Sequence, residues 1–348
     1  MRETRIGWHT LISRILHCCP TDNSADAWRA SRSPRVQTPE IQAPHSENDS
    51  LLDLPAEKIN QSPPQNGTNE IKYPTGCPAD IEYDDFREPS LDELSKQAKY
   101  LEGQVTEKRN ILGEEHPDTL TLMAKLGSTY QSQRQWEKAE KLGLQVFKAR
   151  KKVLGHKHLD TFSSMHNLAN IFRDQGKYEK AEELGVQVIE TQKKVLGHEH
   201  PNTLTSMGNL ALIYWYQSRY KESENLLIRV VEAEKKVLGP KHLATLASML
   251  MLALVYSSQN RYTEAEELLV QVIETEKIVL GPEHPRTLLT MGKLAFIYWE
   301  QGRWKEAEGL GVEVAESQKK VLGPEHPDTL HCLANIENIR KSAKKSRA

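Results

Sequence analysis

From Met123 onward the apolar residues of this chain fall at helical spacing. Met123, Leu126, Gly127 and Tyr130 stand at i, i+3, i+4 and i+7, which is one face of an α-helix. The same face returns as Met165, Leu168, Ala169, Phe172, then as Met207, Leu210, Ala211, Tyr214. It recurs again as Met249, Leu252, Ala253, Tyr256 and as Met291, Leu294, Ala295, Tyr298. A turn follows each face, with Gly176, Ser218, Asn260 and Gly302 at matching positions. A second helix then opens at Trp136, Tyr178, Tyr220, Tyr262 or Trp304. Three residues later it places a small residue: Ala139, Ala181, Ser223, Ala265 or Ala307. It closes in lysines such as Lys151-Lys152 and Lys193-Lys194, which suit the negative end of a helix. The glycine after the following leucine supplies a left-handed cap.

These helix pairs recur at a fixed interval. The string Leu-Gly-x-x-His ends at His116, His158, His200, His242, His284 and His326, each 42 residues after the last. Thr119, Thr161, Thr203, Thr245, Thr287 and Thr329 keep the same interval. Pro117, Pro201, Pro285 and Pro327 occupy the first-turn position that starts a helix. Such a period signals a solenoid, in which one unit cannot bury its apolar face alone and stability comes from stacking. Gly or Ala on the first helix and Ala or Ser on the second allow approach at ~8–10 Å, while Leu and Tyr fill the space beside them.

At these residues the sequence resembles the tetratricopeptide repeat. Leu126-Gly127 with Tyr130 matches that family's L-G-x2-Y core, and Ala139 matches its second-helix alanine. The period and the Leu-Gly-x-Glu-His-Pro-x-Thr-Leu linker resemble the kinesin light chain subclass. The resemblance implies an all-α, right-handed superhelical solenoid over residues 90–340. Its expected divisions are a half-unit at 90–112, five full units at 113–322 and a terminal half-unit at 323–340. Ser90 and Glu93 have capping-box spacing at its start.

The rest of the chain reads differently. Residues 1–89 hold ten of the 17 prolines, with sparse, aperiodic apolar positions, and are expected to be a disordered Pro/Ser/Asn-rich region. They contain no sustained heptads of the kind a kinesin light chain uses to join its motor. Residues 341–348 form a short basic tail. Ile6 to Leu16 is interrupted by His9, Ser13 and Arg14, so it is not a signal-peptide core, and no stretch reaches the ~18–20 apolar residues of a membrane span. The net charge of −2 offers no basic face for nucleic acid. Four scattered cysteines make no disulfide framework, and the expected location is cytoplasmic.

Candidate chemistry is sparse. The six linker histidines sit one packing layer apart and cannot converge on one ion, since zinc requires ligands at ~2.0–2.1 Å. They read as linker structure, and the methionine row as core. Cys18-Cys19 after His17 are ordinary thiols in a tail, and Ile81–Phe86, acidic and aromatic, is a linker whose alternative role is to compete for the groove. No catalytic residues, metal or cofactor are expected, and no enzyme activity.

The expected site is the concave groove that the resemblance assigns to the first helices. There it implies His166, Asn170 and Arg173 at a polar end and Leu212, Trp215, Tyr216, Leu250, Leu254, Phe296 and Trp299 at an apolar, aromatic end. The partner is a protein or peptide segment held by a scaffold or adaptor; nucleic acid and membrane are not expected partners, and self-association is left open. The alternative is a detached ligand-sensing module working with a separate nucleotide-binding switch protein, since no GxxxxGK[ST] loop occurs in this chain.

Overall fold

The computed structural model describes residues 90–346. The expected disordered region 1–89, with Cys18, Cys19 and the 81–86 segment, lies outside the described residues. Among those described, there are twelve helices and no strand. A lone helix α1 (Leu91–Leu112) precedes five antiparallel pairs: α2 (Pro117–Ser132) with α3 (Trp136–Leu154), α4 (Leu159–Asp174) with α5 (Tyr178–Val195), and α6 (Pro201–Tyr216) with α7 (Tyr220–Val237). The pairs continue with α8 (Leu243–Ser258) and α9 (Tyr262–Val279), then α10 (Pro285–Glu300) and α11 (Trp304–Val321). The last helix, α12 (Pro327–Lys345), is unpaired. Each helix packs chiefly on its neighbours in sequence, so the molecule is an all-α solenoid in this region.

The recurrent linker explains its own residues. Its glycines adopt left-handed φ, from +84° at Gly155 to +101° at Gly197, where a Cβ would be strained. The histidine that follows is the N-cap of the next first helix. Nδ1 of His116, His158, His200, His242, His284 and His326 accepts the amide two residues on, at 3.1–3.2 Å. Only a neutral ring with its lone pair on Nδ1 can do this, and burial, reinforced by Arg286, pushes His284 down to about 4. The threonine hydroxyl then donates back to the glycine carbonyl at 2.8–2.9 Å in all six copies.

Packing follows the small-and-large pattern. Ala139, Ala181, Ser223, Ala265 and Ala307 are fully buried, and Ser223 compensates its hydroxyl by donating to the Ala211 carbonyl at 2.7 Å. The methionine row Met123, Met165, Met207, Met249 and Met291 is core, and so is Met251. At the edge, Arg219, Arg261 and Arg303 lie 4.1–4.3 Å from the Tyr214, Tyr256 and Tyr298 ring centroids. Each also pairs with a glutamate of the preceding unit, Glu182, Glu224 or Glu266. The clamp ties one repeat to the next.

The two ends depart from the pattern. At the start, Ser90 and Glu93 form the reciprocal capping box. At the other end α12 continues past 340 to Lys345, with Lys341 paired to Glu337 at 2.8 Å, so most of the expected basic tail is helical. Leu330, equivalent to the buried Leu120, Leu204, Leu246 and Leu288, is 49% exposed, and no second helix follows α12 among the described residues.

Candidate functional site

The resemblance assigns the inner surface to the first helices α2, α4, α6, α8 and α10. Polar side chains on successive first helices meet across it. Gln131 Nε2 donates to Asp174 at 2.6 Å, His166 Nε2 lies 2.6 Å from the Asn209 amide, and Trp215 Nε1 donates to Ser258 Oγ at 2.8 Å. Each pair spans 43 residues, one unit and one step, so these contacts set how one first helix leans on the next. Burial, with the Arg173 charge, pushes His166 down to about 4, which keeps it neutral opposite Asn209.

The ten expected groove residues divide into two groups. Leu212, Trp215, Leu250 and Leu254 are buried, at 6% exposure or less, and so lie beneath the surface instead of lining an open groove. The helix α8 buries every residue from Thr245 to Val255. Arg173 is buried too, its guanidinium spent on Asp174 at 2.8 Å and Asn170 at 3.1 Å. His166, Asn170, Tyr216, Phe296 and Trp299 remain half-buried and reachable. Tyr216 stacks on Tyr178 at 5.9 Å. Its hydroxyl is raised by burial.

Phe296 and Trp299 sit edge to face at 5.5 Å on α10, two repeats beyond Tyr216. The Trp299 indole N–H has no hydrogen-bond partner, although Trp215 at the equivalent position donates to Ser258. A buried indole N–H ordinarily finds an acceptor, so position 299 holds a buried, unmatched donor beneath an aromatic face.

A further set of residues is not singled out by the sequence patterns above. Arg150, Gln192, Glu234, Glu276 and Gln318 occupy one position of the second helices and are all buried between units. Arg150 donates to the Asp160 carbonyl and to Ser164 Oγ, both at 3.0 Å. Glu276 accepts from Arg286 Nε at 2.7 Å and from Thr290 Oγ1 at 2.8 Å. The signal for them is a polar column at 42-residue spacing inside an otherwise apolar stripe. Its partners lie ten and fourteen residues downstream, on the next first helix.

Comparison with known proteins places this architecture. Tetratricopeptide repeat profiles match residues 122–194, 160–235 and 209–277, and another of the same description matches 287–328. A search of curated proteins gives no match. Two crystal structures of a candidate kinesin light chain with nearly identical TPR-like repeats from Podosopora anserina, one of them a point variant, are similar to this chain. They are 34% and 35% identical to it, with TM-scores of 0.53 and 0.51. The similarity covers 60% and 59% of this chain, and 98% and 97% of those chains. BtubC (BKLC) from P. vanneervenii shares the fold at 17% identity and a TM-score of 0.57, over 66% of this chain and 92% of its own.

Proposed function

This chain belongs to the tetratricopeptide repeat family, of the kinesin light chain-like kind, and on that premise we propose that its inner surface holds a segment of a partner protein. The chain acts as a scaffold or adaptor. The anchor point, and the observation that carries the reading, is the half-buried edge-to-face pair Phe296–Trp299. A partner side chain covers the two rings. Buried aromatic anchors of this kind commonly dominate an interface. Tyr216, His166 and Asn170 extend the surface toward the polar end.

This geometry suits a segment with an apolar side chain more than an acidic one. Arg173, the cation expected at the polar end, is already neutralised by Asp174. Affinity purification with quantitative proteomics tests the reading, using Phe296→Ala/Trp299→Ala beside Glu274→Ala on an exposed turn of α9. With helicity unchanged, the double variant is expected to lose specific partners by about 30-fold or more, as loss of ~2 kcal/mol requires. Recovery equal to that of wild type and of Glu274→Ala contradicts it.

A further inference from the structure

The helix α7 is packed between two helices that carry no acidic or basic residue. Neither α6 nor α8 contains Asp, Glu, Lys, Arg or His; their titratable side chains are Tyr214, Tyr216 and Tyr256, all in the last turn. His242, which caps α8, turns Nδ1 to the Ala244 amide. The charged neighbours on α7 itself, Arg229, Glu232, Lys235 and Lys236, face solvent. Into this neutral joint α7 turns the Glu234 carboxyl, 3% exposed, with Oε2 lacking any hydrogen-bond partner. Ser248 is the side chain that favours its ionised form.

The neighbouring joints solve the same position differently. One joint further on, Glu276 is met by Arg286, and Thr290 stands where Ser248 stands here. The residue equivalent to Arg286 is Ala244, so the counter-charge is missing. Gln192 and Gln318 are neutral, and Arg150 finds a backbone carbonyl, a serine hydroxyl and the opposing charge of Asp160. Glu234 alone in this column combines an ionisable group with no opposing charge.

We infer that the joint between the third and fourth units is a proton-controlled hinge, packed while Glu234 is protonated and loosened when it ionises. The reason is the cost of burying an uncompensated charge, which the joint relieves by admitting water. Burial pushes the Glu234 carboxyl up to about 7, against the pull of Ser248, so the transition falls near neutrality. The sign is fixed by linkage: the folded state holds its proton to higher pH than the unfolded chain, so stability falls as pH rises from about 4.5 to about 7 and then levels. The consequence reaches the inner surface, because the same joint sets the lean of α6 on α8 through the Trp215–Ser258 hydrogen bond.

Backbone hydrogen exchange of the full chain, followed from about pH 5 to about pH 8 and corrected for the intrinsic rate, reads this joint. Protection of the C-terminal half of α7 and of α8 is expected to fall about tenfold or more over that interval, and by more than at the α9–α10 joint, where Arg286 opposes the raised Glu276 carboxyl. Glu234→Gln abolishes the fall. Ala244→Arg, which supplies the counter-charge that Arg286 gives Glu276, flattens it independently. Wild-type protection that does not change with pH overturns the hinge. So does a wild-type profile kept in either variant; if Glu234→Gln does not fold, Ala244→Arg decides alone.

Discussion

Replacing Arg286 with methionine is expected to cost about 3–5 kcal/mol, the range for removing one partner of a buried ion pair. Arg286 is 5% exposed and Glu276 not at all, and their contact at 2.7 Å lies between the fourth and fifth units. The guanidinium also reaches the Leu243 carbonyl at 3.1 Å, so it ties three helices together. Its loss leaves Glu276 with Thr290 alone. Burial already raises the Glu276 carboxyl in spite of Arg286, and without that charge it rises further. The variant therefore becomes a second copy of the Glu234 joint. The double variant Glu276→Gln/Arg286→Met removes the charge with its partner and is expected to recover all but about 1 kcal/mol. Chemical unfolding of the two variants side by side checks this. A double variant as unstable as the single one contradicts the electrostatic account.

The second large effect separates stacking from sequence. Leu204 and Leu330 are the same residue in the same column, three units apart. Leu204 is 1% exposed beneath α7, whereas Leu330 on the unpaired α12 is 49% exposed. Leu204→Ala is expected to cost about 2–5 kcal/mol, through lost transfer energy and the cavity left behind. Leu330→Ala is expected to stay within about 0.5 kcal/mol of wild type. Thermal unfolding monitored by helicity measures both. Equal costs would mean that burial against the following second helix is not what stabilises a unit.

Much of this architecture is legible in the amino-acid order. The 42-residue interval, the small residues at Ala139 and its equivalents, and the turn at Gly176 and Gly302 all reappear as helices and positive-φ turns. Those features are local or periodic, and periodicity survives in a single sequence. Spacing marks the linker histidines as structural, but their capping role depends on ring orientation, which spacing does not reveal. The polar column from Arg150 to Gln318 is harder to see, because its meaning lies in residues ten and fourteen positions downstream.

The candidate surface is only partly legible for a related reason. Leu212, Leu250, Leu254 and Trp215 lie just off the core face of their helices, where an apolar residue serves equally as lining or as core. Helical phase alone does not distinguish the two. The structure buries these four and leaves Phe296, Trp299 and Tyr216 within reach. The Trp299 donor has no signature in sequence, because Ser342 stands in the same register as Ser258 and yet Nε1 is unmatched.

The most direct test of the binding account is site-specific photocrosslinking in cells. A photoreactive phenylalanine analogue replaces Trp299 on the inner surface in one variant, and exposed Glu274 on the outer helix α9 in the other. Discrete partner adducts from position 299 with none from position 274 are the predicted result. Adducts from position 274 alone, or the same set from both positions, would contradict an inner-surface site.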